Sequence, residues 1–145
     1  MTELVAETRI DRPAAAVWAL LADYGNDPRW RRGVHTMAPE PPGPVTAGTR
    51  TAEVLRFAGR TYLNNGEVLA VEPGRSFRWR TTSGVRATGS RTVEPAGAGS
   101  CVVRLRVHIQ PSGVDRLVAL VFGGLLRRNL IRDLERFRVL AESNA

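Results

Sequence analysis

The C-terminal stretch, residues 112–145, contains the pattern that most restricts how this chain can fold. Its apolar residues recur every three or four positions, which is the spacing of one face of an α-helix. They are Val114, Leu117, Val118, Val121, Leu126, Leu130, Leu134, Phe137 and Leu140. A helix with so long an apolar stripe needs a surface that covers it. The pattern therefore predicts one long terminal helix packed against the rest of the chain.

Upstream of this helix the sequence indicates short strands. Apolar and polar side chains alternate with the period of two that is typical of a half-buried strand. The predicted strands span residues 2–10, 34–37, 49–57, 61–71, 76–82, 85–93 and 101–109. Residues 38–44 contain four prolines and one glycine, and they are predicted to form a loop because proline donates no hydrogen bond to a sheet.

Two helices are predicted between the first two strands. Asp11 can cap a helix over residues 14–22, with Pro13 at its start, and a second, short helix is predicted over residues 26–30. The complete order is one strand, two helices, six strands and the long helix. This order predicts a single α+β domain over residues 1–145, with an antiparallel sheet curved around the terminal helix.

The charge of the chain is strongly positive, and all of it comes from arginine. The sequence has 21 basic residues and a net charge of +7, with no lysine. The arginines are spread through every predicted element, whereas nucleic-acid binding leaves a clustered footprint, so we predict no nucleic-acid partner. Without lysine, Schiff-base chemistry on a lysine side chain and lysine-based phosphate loops are excluded.

Localisation and cofactors are predicted mainly from what the sequence lacks. No stretch reaches the roughly 18 apolar residues of a membrane span, and the first residues lack a signal peptide, which predicts a cytoplasmic protein without stable membrane insertion. Cys101 lies in an apolar run and is expected to be a buried, unreactive thiol. His35 and His108 lack metal-ligand spacing, and no glycine-rich phosphate loop follows a strand, so we expect neither metal nor cofactor. The sequence leaves open whether the protein forms a homodimer.

Several short motifs, together with the order of elements, resemble the START-like (SRPBCC) superfamily. The motifs are the strand that runs into Ile10-Asp11-Arg12-Pro13, the helix over residues 16–24, Trp30, Gly33-Val34, Gly48-Thr49, Val71-Glu72-Pro73-Gly74 and the strand through Phe77 and Trp79. Polyketide cyclases and dehydrases, lipid-transfer domains and plant allergens belong to this superfamily. The resemblance implies a helix-grip fold, in which a curved antiparallel sheet wraps around a long C-terminal helix and two short helices follow strand 1.

The resemblance also implies an elongated internal cavity for a small hydrophobic or aromatic molecule. The alternation along each strand then predicts which side chains face that cavity. These are Thr51, Glu53, Leu55, Phe57, Leu63, Asn65, Glu67, Phe77, Trp79 and Leu105, joined by Leu117, Val121 and Gly124 from the helix. Trp30 lies beside the second helix, which implies a place at the cavity mouth. Stacking on a ligand and simple packing are both open for this residue.

Glu53 and Glu67 are the candidate catalytic residues, because they share strand faces with apolar residues that point inward. An enclosed carboxyl group is paired, bonded to a ligand, or raised in pKa, and a raised pKa suits the acid–base chemistry of a ring closure or a dehydration. The alternative is that strand twist places both side chains at the sheet edge, in water.

Three functions remain open on this basis. The first is a polyketide cyclase or dehydrase, which either catalyses or only binds. The second is a non-catalytic carrier of lipids or polyketides, and the third is a protein-interaction module of the stress-response type. An enclosed carboxylate with a second polar group would favour catalysis, and a wholly apolar cavity would favour carriage. A collapsed cavity with an exposed apolar patch would favour a protein partner.

Overall fold

Seven strands form one antiparallel sheet in the computed structural model, which describes residues 2–110 and 116–143. The strands are β1 (Thr2–Ile10), β2 (Val34–Glu40), β3 (Arg50–Phe57), β4 (Arg60–Glu72), β5 (Ser76–Ser83), β6 (Ala87–Pro95) and β7 (Cys101–Ile109). The helices are α1 (Ala14–Leu21), α2 (Asp27–Trp30) and α3 (Arg116–Ser143), and a 3₁₀ turn (Tyr24–Asn26) precedes α2. The predicted order of elements is confirmed.

The order of the strands in the sheet follows the chain except at the first strand. From edge to edge it is β1, β7, β6, β5, β4, β3 and β2, so that β1 pairs with the last strand. In that pairing Ala6 lies opposite Leu105 and Ile10 lies opposite Cys101. The sheet curls into a half-barrel, and α3 lies along its concave side, which is the helix-grip arrangement.

The proline-rich stretch is less irregular than its composition predicts. Strand β2 continues to Glu40, and Pro39 pairs with Thr51 of β3, so the expectation of a loop over residues 38–44 is wrong for its first three residues. The physical reason is the position of β2 at the sheet edge. A proline is tolerated there because its missing N–H can face away from the neighbouring strand.

Two apolar clusters hold the sheet, the short helices and α3 together. The larger cluster contains Ala6, Ile10, Val17, Leu21, Trp30, Val93, Cys101, Val103, Leu105, Leu134, Phe137 and Ala141. It joins the C-terminal half of α3 to β1, β6, β7 and α1. The smaller cluster contains Ala22, Tyr24, Val45, Val68 and Phe77, and it joins the chain after α1 to β4 and β5. Cys101 is fully buried, as predicted, and burial raises the pKa of its thiol.

Among the helices that the structure describes, none is long and apolar enough to cross a bilayer.

Candidate ligand-binding cavity

A cavity of about 330 Å³ lies between the concave face of the sheet and the middle of α3. Its apolar and aromatic wall consists of Leu4, Tyr24, Trp30, Met37, Leu55, Phe57, Tyr62, Trp79, Val85, Leu105, Val107, Ile109, Leu126 and Leu130. Its polar and charged side chains are Arg31, Thr51, Glu53, Asn64, Asn65, Glu67, Arg80, Thr81, Ser90, Arg91, Arg106, Asn129 and Asp133. The cavity is thus neither collapsed nor wholly apolar.

Nine of the predicted site residues lie in this wall. They are Trp30, Thr51, Glu53, Leu55, Phe57, Asn65, Glu67, Trp79 and Leu105. Along β3, every second side chain from Thr51 to Phe57 reaches the wall, as the alternation predicts. Whether these residues contact a ligand stays a prediction.

The predicted inward face of β4 is wrong at Leu63. This side chain is 68% exposed and lies outside the wall, whereas its neighbours Tyr62 and Asn64 line the cavity. The physical reason is the pairing of β4 with β3, in which Tyr62, Asn64 and Gly66 lie opposite Leu55, Glu53 and Thr51 of the cavity wall. Paired residues point to the same face of a sheet, so the even-numbered positions of β4 face inward up to Val68. The alternation at Leu63 was therefore predicted in the opposite phase.

Phe77 and Gly124 are also misplaced by the sequence prediction. Phe77 is 1% exposed and packs in the smaller apolar cluster, edge-on to Trp18 and Tyr24, so it supports the wall from behind without lining it. Gly124 is exposed and has open space where a Cβ would stand, because it lies on the outer face of α3. Leu117 and Val121 belong to α3, but their side chains lie outside the described part of the structure.

Trp79 lies against β6 at a position where that strand has no side chain. A Cβ on Gly89, which pairs with Trp79 across β5 and β6, would lie 2.4 Å from a ring carbon of the tryptophan. The same Cβ would lie 2.4 Å from the backbone oxygen of Arg106. Glycine at this position therefore fixes the place of the indole in the wall.

The deepest polar contact of the site is an ion pair between α2 and β6. Asp27 is fully buried, and Arg91 donates to both of its carboxylate oxygens, over 3.0 Å from Nη1 and 2.6 Å from Nη2. Arg91 Nη1 also donates to the backbone oxygen of Leu21 over 3.1 Å. This bidentate geometry compensates two charges that would be costly to bury alone.

Arg31 extends this ion pair towards the cavity. Its Nη1 donates to Asp27 over 3.1 Å and to Glu53 over 2.9 Å, and Asn64 donates to the other oxygen of Glu53 over 3.3 Å. Burial acts to lower the pKa of Arg31, but the two carboxylates outweigh it and raise the pKa, so the guanidinium stays charged. We call Asp27, Arg31, Glu53 and Arg91 the buried ion-pair network.

Aromatic rings surround the inner end of this network. The guanidinium carbon of Arg91 lies 4.6 Å from the ring centre of Tyr24 and 5.0 Å from that of Trp30, within the range of cation–π attraction. Burial raises the pKa of Tyr24 despite the nearby charge of Arg91, so its phenol stays neutral. The rings and the bidentate carboxylate together hold Arg91 in one orientation.

Glu67 lies at the rim of the cavity and pairs with Arg80 on β5. Arg80 Nε donates to Glu67 Oε1 over 2.6 Å, and the arginine side chain is 54% exposed. Glu53, by contrast, is 12% exposed and belongs to the buried ion-pair network. Of the alternatives that the sequence leaves open for enclosed carboxyl groups, ion pairing is the one found for both residues.

Asp133 on α3 is a carboxyl group of the wall that the sequence analysis did not identify. Its side chain is 7% exposed, and its Oδ1 accepts from the backbone N–H of Arg32 over 3.3 Å and from Arg136 Nη1 over 2.8 Å. Burial raises the pKa of Asp133 and outweighs these two partners, which act to lower it. Of the acidic groups in the wall, this one has a pKa displaced towards neutral pH.

The raised pKa of Asp133 predicts a pH-dependent stability difference in the variant Asp133→Asn. The native protein holds the proton more tightly than the unfolded chain, so ionisation costs stability as the pH rises from about 3.9 through the native pKa. Asparagine can accept the same two hydrogen bonds and does not ionise. We therefore expect the Tm of the variant, relative to wild type, to rise over this pH range and then level off, as measured by thermal unfolding in a series of buffers.

Glu135, an exposed acid on the same helix, provides the matched control. The hydrogen bond from Arg138 lowers its pKa, so the Glu135→Gln difference should run in the opposite direction with pH. A Tm difference for Asp133→Asn that is constant across the series would contradict a raised pKa for Asp133.

Comparison with known proteins identifies the family of this chain. The family model described as polyketide cyclase / dehydrase and lipid transport matches residues 1–142. The chain belongs to this polyketide cyclase/dehydrase and lipid transport family. A comparison with curated proteins finds no match.

Solved structures with the same fold include an aromatase/cyclase and a START superfamily protein. A protein from Thermus thermophilus, TTHA0849, is similar with a TM-score of 0.84 and 18% identity, over 99% of both chains. The Zhui aromatase/cyclase from Streptomyces sp. R1128 has a TM-score of 0.81 and 15% identity, over 97% of this chain and 93% of its own. A START superfamily protein from Mycobacterium smegmatis has a TM-score of 0.71 and 12% identity, over 93% and 95%. At these identities the likeness establishes the fold alone.

Arg31 and Arg91 line the cavity and Asp27 pairs with both, but none of the three is predicted as a site residue from the sequence. One signal was available: Arg91 lies two residues before Val93 on a strand of period two, which places both on the buried face. Nothing in the sequence joins Arg91 to Asp27, which lies 64 positions earlier.

Proposed function

We propose that this protein binds a small hydrophobic or aromatic molecule in the cavity between its sheet and α3. The observation that carries the proposal is the cavity itself, because about 330 Å³ of space with a mainly apolar wall is the usual character of a small-molecule site. Five aromatic side chains from different elements form part of the wall, namely Tyr24, Trp30, Phe57, Tyr62 and Trp79. Flat aromatic faces suit a ligand with rings or conjugated double bonds.

Polar groups at defined places in the wall would orient a bound ligand. Arg31 and Asn64 lie on one side, and Asp133 lies on α3. A few convergent polar groups in an apolar cavity normally fix the orientation of a ligand. The description of the family, which covers polyketide cyclases, dehydrases and lipid transport, supports a polyketide-like or lipid-like ligand.

Catalysis of a cyclisation or a dehydration is the finer form of this proposal. Glu53 and Glu67 remain candidates, and each is held in an ion pair with an arginine. Asp133 also pairs with an arginine, but burial outweighs this partner and raises its pKa, which suits an acid or base. In this form Asp133 transfers a proton, while Arg31 donates a hydrogen bond to a ligand oxygen and orients it.

Carriage without catalysis is the second candidate, and the apolar share of the wall favours it. A carrier needs a cavity that excludes water and a few orienting groups, and this wall supplies both. The third function, a protein-interaction module, rests on a collapsed cavity, and the cavity here is open. We therefore propose a ligand-binding protein, with catalysis and carriage separated by experiment.

Native mass spectrometry of the purified protein, followed by denaturing extraction, tests the binding proposal. We expect a retained hydrophobic molecule or, for an empty protein, a Tm raised by an aromatic polyketide or lipid ligand. Ligand at a hundred times Kd adds about 2.7 kcal/mol to the free energy of unfolding. Turnover of the retained molecule that is lost in Asp133→Asn and kept in Glu135→Gln would support catalysis. An empty protein whose Tm is raised by no fatty acid, sterol or aromatic polyketide would contradict ligand binding.

A further inference from the structure

We propose that the ligand of this cavity is electrically neutral where it meets Arg31, and that it presents a carbonyl or phenolic oxygen to the free N–H groups of that side chain. This inference rests on the proposal that the cavity holds a ligand. It adds a chemical class for the polar end of that ligand and a residue that selects it.

Arg31 has hydrogen-bond donors to spare. Both of its bonds to carboxylates use Nη1, so Nε and Nη2 donate to no residue that the structure describes. The side chain lies in the cavity wall and is 23% exposed. Two carboxylates on Nη1 also fix the orientation of the guanidinium plane. The free donors are therefore preorganised, and a ligand oxygen can bind them without reorganisation of the site.

The charge of Arg31 is already matched within the buried ion-pair network. The network contains two guanidinium groups, on Arg31 and Arg91, and two carboxylates, on Asp27 and Glu53. Asp27 is shared between both arginines, and Glu53 belongs to Arg31. The network is neutral as a whole. A ligand anion placed beside Arg31 would thus also meet two carboxylates at close range.

The other charged side chains of the wall are matched as well. In the described part of the chain, Arg80, Arg106 and Asp133 pair with Glu67, Glu3 and Arg136. No unmatched positive charge remains among them to receive a carboxylate or a phosphate. An anion would have to leave water without a counter-charge, which is costly, whereas a neutral oxygen loses little water and gains donors.

Three naphthalenes of similar size test this selection at neutral pH by equilibrium dialysis. They are 2-acetylnaphthalene, which has a neutral acceptor, 2-ethylnaphthalene, which has none, and the anion 2-naphthoate. A hydrogen bond from a charged donor predicts that the acetyl compound binds about tenfold more tightly than the ethyl compound. The absence of a counter-charge predicts that naphthoate binds at least about tenfold more weakly than the acetyl compound.

Glu53→Gln should convert the site towards anions. Removing this carboxylate leaves one positive charge unmatched at Arg31, so naphthoate binding should strengthen about tenfold relative to binding of the acetyl compound. Glu7→Gln is the matched control. Glu7 pairs with Arg104 outside the cavity wall, so this variant should keep the wild-type order of affinities.

A double variant, Arg31→Met with Glu53→Gln, removes the donors while it keeps the network neutral. We expect it to fold, as judged by circular dichroism, and to bind the acetyl and ethyl compounds within about twofold of each other. This variant keeps the inference testable if Arg31→Met alone fails to fold.

The outcomes separate this inference from the proposed function. Binding of the ethyl compound without preference for the acetyl compound, or naphthoate as the tightest ligand of the wild type, would overturn the inference and leave ligand binding intact. Failure of all three naphthalenes to bind would contradict the cavity as a ligand site, and the inference would fall with it.

Discussion

Asp27→Asn should lower the free energy of unfolding by about 3–5 kcal/mol, because it leaves the buried guanidinium of Arg91 without its counter-charge. Asp27 is fully buried, and Arg91 is 5% exposed, so water cannot replace the lost carboxylate. A domain of this size is stable by about 5–15 kcal/mol, so the loss is a large part of the total. Urea unfolding followed by circular dichroism measures it directly.

Two further variants identify the cause of that loss. Asp23→Asn changes a less buried acid that accepts one hydrogen bond, from the backbone N–H of Gly25, and should cost about 1 kcal/mol or less. The double variant Asp27→Leu with Arg91→Met removes both charges, and we expect it to be more stable than Asp27→Asn alone. Equal losses in Asp27→Asn and Asp23→Asn would show that the buried charge pair does not stabilise this region.

Patterns that repeat along the chain were sufficient to predict the fold. Burial along strand β7 alternates from Cys101 to Arg106, and the buried positions of α3 keep the helical spacing through Leu134, Phe137 and Ala141. Such patterns are local, and every residue in them supports the same type of secondary structure. They therefore survive a single irregularity elsewhere in the chain.

The site was predicted less well, because the positions of its side chains depend on strand pairing and long-range contacts, which leave no repeated pattern in the sequence. Strand β4 has apolar residues on both faces, so Tyr62 and Leu63 each fit the inward side, and only the pairing with β3 selects Tyr62. Asp27 and Arg91 are joined by tertiary structure alone. A charged residue on a strand is read as exposed from sequence, since an unpaired buried charge is so costly.

The position of Asp133 on the inward side of α3 follows from the helical pattern. It lies three residues after Leu130 and four before Phe137, both of which pack against the core. Its position on the inward side of α3 could have been inferred from that spacing. Its raised pKa could not, because burial by the surrounding elements is its main cause.

Helix α3 divides into a part that faces the cavity and a part that anchors the helix. Leu126, Asn129, Leu130 and Asp133 line the cavity, whereas Leu134, Phe137 and Ala141 pack into the larger apolar cluster. The ring of Phe137 lies edge-on to Trp30, with 5.1 Å between ring centres, and Trp30 forms part of the wall. The anchoring part therefore also supports the cavity from behind.

Phe137→Ala should lower the free energy of unfolding by about 3–5 kcal/mol, because it deletes a fully buried ring and leaves a void beside Trp30. We expect weaker ligand binding as well, since the indole loses the ring that holds it in the wall. Val139→Ala is the control: this residue lies two positions along on the outer face and is 55% exposed, so it should change stability by less than about 0.5 kcal/mol. Urea unfolding and equilibrium dialysis measure the two effects. A stable Phe137→Ala variant that keeps wild-type affinity would show that Phe137 is not needed to hold Trp30 in the cavity wall.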